Sequence, residues 1–174
     1  MSMKKSLFST RSLVQGAIIA AVYVALTLSN AMFSYGMVQI RIAEALTILP
    51  LFTPAAIPGI FIGCLVANIL SPSPNIIDII FGSLTSLFAG SLTYQLGKML
   101  ADKMKEIPKF LIAIIPPILL NALIVGAYVQ MLWYPSVPMY LVMISVGIGQ
   151  VIACYGLGGI LYFTLKKTKI DKLM

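Results

Sequence analysis

The residues best able to do chemistry are Arg41 and Glu44, three apart in QIRIAEALTILPLFTPAAIPGIFIGCLVAN (residues 39–68), an apolar run broken by Pro50, Pro54 and Pro58. Arg41 is the only basic residue between Arg11 and Lys98, and Glu44 and Asp78 are the only acids before Asp102. Ionisable groups set in a long apolar stretch are costly, and they mark either a buried pair or a site. The chemistry they offer is binding. The chain has no GxxxxGK[ST] loop, HExxH or GxSxG motif, no carboxylates at metal-ligand spacing and no histidine, so the parts of a nucleotide hydrolase, a metalloenzyme or a triad hydrolase are missing. The expectation is a protein that is not an enzyme and holds no metal or cofactor.

Further polar residues fall near the same end of their segments: Gln39, Asn68, Asp78 and Gln130, with Asn121 and Gln150 deeper. Together they could line one cavity. Each also has a structural reading. Arg41 and Glu44 have the i,i+3 spacing of a helical ion pair, and Asp78, three residues after Asn75, complements a helix N-terminus. Asn121 and Gln150 suit bonds between helices, and Asn68 suits a cap on a carbonyl-rich helix end. Cys64 and Cys154 sit singly in apolar segments and read as small packing residues rather than a disulfide or a metal pair.

These residues must be positioned by membrane helices. Hydrophobic residues make up 60% of the 174 and charged residues 10%, with a mean hydropathy of +1.01, whereas soluble domains carry about a quarter charged residues. Apolar runs near the roughly 20 residues needed to span a bilayer recur throughout, which predicts a single membrane domain over residues 1–174. The net charge of +7 lies in short clusters beside apolar runs rather than along a basic face with interleaved aromatics. That arrangement argues for membrane topology and against nucleic acid.

Eleven of the twelve basic residues fall in three places: Lys4/Lys5/Arg11, Lys98/Lys103/Lys105/Lys109 and Lys166/Lys167/Lys169/Lys172. The positive-inside rule puts all three on the cytoplasmic side, which residues 40–70 satisfy only by crossing twice. The expected fold is therefore an all-α, six-helix transmembrane bundle with both termini cytoplasmic. Its helices cover residues 12–33, 40–52, 55–70, 76–101, 108–133 and 137–165, with a loop at 34–39 and turns at Thr53-Pro54 and 71–75. MSMKKSLF resembles the start of a signal peptide, but the run after it is long enough to span and is expected to stay. The second helix, about 13 residues at 1.5 Å each, reaches only about 20 Å of a roughly 30 Å core, so protein must shelter its ends. Pro50 should kink or end it. Trp133, Tyr134 and Tyr140 mark the outer interface, and Ala17, Ala21 and Ala25 form a smooth stripe that invites close helix approach.

The stretch VQIRIAEALTILPLFTPAAIPGIFIGCLVAN resembles the QueT family, substrate-binding (S) components of energy-coupling factor (ECF) transporters. Its specific parts are RIAEALTILP and FTPAAIPGIFIGCLVAN. The resemblance implies a multi-pass subunit of the bacterial plasma membrane that captures a queuosine precursor, a 7-deazaguanine such as preQ1. It also implies partners, a transmembrane T subunit and two ATPase subunits, with Ala17, Ala21 and Ala25 as the contact for the T subunit. The residues suit that ligand. A guanine-like edge presents N1–H and an amine to a carboxylate, and its carbonyl takes an amide or arginine donor; Arg41, Glu44, Asn68, Asp78, Asn121 and Gln130 supply both kinds. Tyr128, Trp133 and Tyr134 offer stacking walls. A stand-alone transporter and a structural subunit without ligand are the competing readings.

Overall fold

The computed structural model describes residues 9–34 and 40–168, and among these every regular element is helical. Six apolar helices follow in order: α1 (Thr10–Ser29), α2 (Ile42–Leu51), α3 (Ala56–Ile69), α4 (Asp78–Leu100), α5 (Glu106–Trp133) and α6 (Met139–Lys167). α1, α4, α5 and α6, of 20, 23, 28 and 29 residues, are long and apolar enough to cross a membrane, while α2 and α3 are shorter. Each expected helix has its counterpart. α1 stops earlier than expected, at Ser29, where Asn30 leaves helical geometry, and one further turn follows at Ala31–Ser34.

The helices run alternately up and down. At one end Thr53, in the α2–α3 turn, donates to the Gln15 side chain at 3.3 Å, and Glu106 of α5 pairs with Lys166 of α6 at 3.6 Å. The lysines of the α4–α5 turn lie here too, so this is the basic end. Phe52, Phe110 and Tyr162 pack beneath it at centroid distances of 5.2 and 4.9 Å, and Tyr162 donates to Glu106. Trp133, Tyr134 and Tyr140 lie toward the opposite end.

α2 differs from expectation in its winding. It is a 3₁₀ helix with Pro50 in its last turn, rising about 2 Å per residue, so its ten residues cover roughly the 20 Å expected of a longer α-helix. Such runs are seldom this long. Here the surroundings enclose it: every residue from Ala43 to Pro50 is buried, with α1, α3, α4 and α6 packed around it. The sheltering that a short, broken helix demands is present. Pro58 sits in the first turn of α3, where its missing N–H costs nothing.

α1 meets α3 through glycines. A Cβ on Gly59 would lie 2.8 Å from the Gly16 carbonyl oxygen, and one on Gly63 would lie 2.7 Å from Cβ of Tyr23. Gly63→Val is accordingly expected to push the helices apart and cost about 1–3 kcal/mol, the usual range for overpacking, read as an earlier thermal transition in detergent. The buried face of α1 carries Gly16, Ile19, Ala20, Tyr23 and Thr27. Ala17, Ala21 and Ala25 occupy its exposed face, so within this chain the stripe is not an internal packing surface.

Candidate functional site

At the end of the bundle away from the lysines, polar side chains from five helices converge. Arg41 immediately precedes α2 with extended backbone (φ −81°, ψ 104°), so its side chain leaves the helix face and reaches Asp78 of α4 at 3.8 Å. Its Nε donates to the Ser34 carbonyl at 3.1 Å and its Nη1 lies 3.9 Å from the Cys64 sulfur. Glu44, in the first turn of α2, turns the other way and accepts the Tyr23 hydroxyl on Oε1 at 2.5 Å. Asp78 accepts the Tyr128 hydroxyl at 2.6 Å, while Asn68 donates to the Asp78 carbonyl at 3.0 Å. Tyr23, Arg41, Glu44, Asn68, Asp78 and Tyr128 are all buried.

The local winding of α4 shapes this cluster. A π-helical turn covers Asp78–Gly82, as others cover Asn121–Val125 and Ile152–Leu157; the form occurs mostly as such single widened turns. The turn at Asp78–Gly82 brings Gly82 under the polar groups. A Cβ there would stand 2.9 Å from the Asn68 amide nitrogen, 3.0 Å from the Tyr128 hydroxyl and 3.1 Å from Asp78 Oδ1. Only glycine leaves those three groups their room. Gly82→Val should therefore displace them together, loosen the Asp78 contacts with Arg41 and Tyr128 and lower thermal stability, read as an earlier unfolding transition in detergent.

Two acceptors in the cluster stand out. Glu44 Oε2 and Asn68 Oδ1 are buried and have no hydrogen-bond partner among the described residues. Leaving such an oxygen unsatisfied costs about 1–3 kcal/mol. The guanidinium faces Asp78, and the second carboxylate, Glu44, gives one oxygen to Tyr23. Acceptors of this kind pair with N–H or O–H donors.

The structure brings together Arg41, Glu44, Asn68, Asp78 and Tyr128 of the residues expected at the site. Arg41 pairs with Asp78 rather than with Glu44. Asn121 instead donates to the Pro117 carbonyl of its own helix at 2.8 Å, and Gln150 lies 3.6 Å from the Cys154 sulfur. Gln130 fastens the α5–α6 turn, donating to the Val137 carbonyl at 3.0 Å. Trp133 is 39% exposed, and Tyr134 packs on the Val125, Val129 and Val142 cluster. Gln39 lies outside the described residues. Cys64 and Cys154 are buried free thiols, as their settings suggested.

Tyr23 and Gly82 were not anticipated. A signal for Tyr23 existed, since it and Thr27 are polar tips four apart on the α1 face that also carries Gly16, opposite the alanine stripe. Gly82 gave no such signal, because a lone glycine in an apolar helix has several ordinary uses.

Residues 13–167 match the family described as QueT transporter. The chain belongs to that family. A curated member, the queuosine precursor transporter QueT of Lactococcus lactis subsp. cremoris, is 38% identical over 106 residues, covering 60% of this chain and 58% of the relative. The match thus spans little more than half of that QueT protein's length. No solved structure matches the chain.

Proposed function

We propose that this chain is the substrate-binding membrane subunit of an ECF-type importer and that its cargo is a queuosine precursor, a 7-deazaguanine such as preQ1. The observation that carries the reading is the pair of buried acceptors, Glu44 Oε2 and Asn68 Oδ1, set beside an arginine. A deazaguanine edge brings an adjacent ring N–H and amine for such acceptors, and its carbonyl suits a guanidinium. The name of the Lactococcus lactis relative supports the same cargo. Tyr128, fixed by its bond to Asp78, offers an aromatic ring beside the acceptors.

In this reading both termini and the basic end face the cytoplasm, as the positive-inside rule requires, and the buried polar cluster lies toward the outer end. Partner ATPases supply the energy. The exposed faces of Ala17, Ala21 and Ala25 fit close contact with a helix of the T subunit, because small side chains allow helix backbones to approach in lipid. Ala21→Trp is expected to block assembly with the T and ATPase subunits while leaving ligand affinity unchanged, checked by co-purification beside titration.

The direct test is titration of the purified chain with 7-aminomethyl-7-deazaguanine and its 7-cyano analogue. A ligand at a hundredfold its Kd should add about 2.7 kcal/mol of stability, visible as a rise in Tm. No heat and no thermal shift with any deazapurine would remove the cargo assignment. Uptake that persists in cells lacking the T and ATPase subunits would replace the importer with a stand-alone transporter.

A further inference from the structure

Tyr23 connects α1 to the polar cluster. Its hydroxyl holds Glu44 Oε1, it is wholly buried, and its Cβ stands against Gly63 of α3. From the same residue a line of hydrogen bonds returns to the cluster. Thr27 Oγ1 donates to the Tyr23 carbonyl at 2.9 Å, Ser34 Oγ to the Thr27 carbonyl at 3.1 Å, and Arg41 Nε to the Ser34 carbonyl at 3.1 Å. The Glu44 backbone N–H on the Arg41 carbonyl, at 2.9 Å, closes the ring. Tyr23, Thr27, Ser34, Arg41 and Glu44 are all buried.

This ring ties the end of α1 to the start of α2 through one carboxylate, whose two oxygens are in different states. Oε1 is taken by Tyr23, and Oε2 has no partner among the described residues. A donor arriving at Oε2 draws on the same delocalised charge and weakens the bond already made at Oε1. The opposite face of α1 carries the exposed alanines.

We propose that Tyr23 is a positioning residue that couples occupation of Glu44 to α1: a ligand N–H on Oε2 loosens the Tyr23 bond on Oε1 and lets α1 shift against α2. The proposal rests on the reading that Glu44 takes ligand. Coupling of this kind is reciprocal. If ligand loosens the tether, then removing the tether helps ligand, and Tyr23→Phe binds as tightly as the parent or up to about tenfold tighter.

The test uses nitroxide labels at Ala21→Cys on α1 and Ile160→Cys on α6, read by pulsed dipolar spectroscopy, with 7-aminomethyl-7-deazaguanine as the probe. Both native cysteines are 0% exposed and Ile160 is 68% exposed, which directs labelling to the introduced sites. Ligand should move the distance distribution in the labelled parent. In Tyr23→Phe, which keeps the ring against Gly63, ligand should bind and the distribution should not move. Thr27→Val breaks the ring at another bond and should also blunt the response, so the question survives if one variant folds poorly.

A parental response retained in both variants would overturn the proposal. So would a parent that binds ligand without any change in distance, or a tenfold or greater loss of affinity in Tyr23→Phe, which would make the tyrosine only a prop for Glu44. Failure of the parent to bind any deazapurine would remove the cargo reading and the proposal with it, a result separate from binding without movement.

Discussion

Asp78→Ala is expected to produce the largest loss of stability of any single change at the site. It removes the carboxylate that faces Arg41 at 3.8 Å and strips the Tyr128 hydroxyl of its acceptor. Taking one partner from a buried ion pair typically costs about 3–5 kcal/mol, because the remaining charge stays buried. Thermal unfolding in detergent should show this as a clear drop in Tm or as failure to purify. Arg41→Met combined with Asp78→Leu is the informative companion. Apolar replacement of both partners is often neutral or stabilising, so the double variant should regain most of the lost stability. It should not regain ligand affinity if the guanidinium serves the deazaguanine carbonyl. Recovery of both would mean that the pair serves only the fold.

That pair shows where reading the sequence succeeded and where it stopped. The split of residues 40–70 into two short helices followed from the placement of lysines far away, because a single crossing would have put a basic cluster on the wrong side. The enclosure of α2 followed from its length alone. The choice of partner for Arg41 did not follow. The i,i+3 rule assumes that both residues are helical, and Arg41 lies just before α2 in extended geometry, which sends it across to α4 instead. That geometry depends on packing between α1, α3 and α4, which no local pattern encodes.

The same distinction covers the rest of the site. Arg41, Glu44, Asn68 and Asp78 were legible because a polar or charged group in an apolar run carries a cost that demands a reason. Trp133 and Tyr134 enter the candidate set by residue type and Gln130 by its place near the outer end, and the fold puts all three around the α5–α6 turn. Tyr23 carries only a weak signal because tyrosine is common in apolar helices, and its role depends on which oxygen its hydroxyl meets. The π turn that places Gly82 among three polar groups has no sequence signature comparable to a cap or a proline.

The second large effect is expected at Glu44, and it falls on affinity. Glu44→Gln keeps an oxygen to accept the Tyr23 hydroxyl but replaces the charged Oε2 acceptor with, in part, an amide donor. A hydrogen bond to a charged group is worth about 1.5–3 kcal/mol, so the deazaguanine affinity should fall by roughly ten- to hundredfold. Stability should change far less, because Arg41 faces Asp78 and does not depend on Glu44 for its ion pair. Calorimetric titration beside thermal unfolding separates the outcomes. Lost affinity with a near-parental Tm assigns Glu44 to the ligand. A lowered Tm with unchanged affinity would assign it to the hydrogen-bond ring alone, and the ligand's N–H edge would then have to be sought at Asn68 and Asp78.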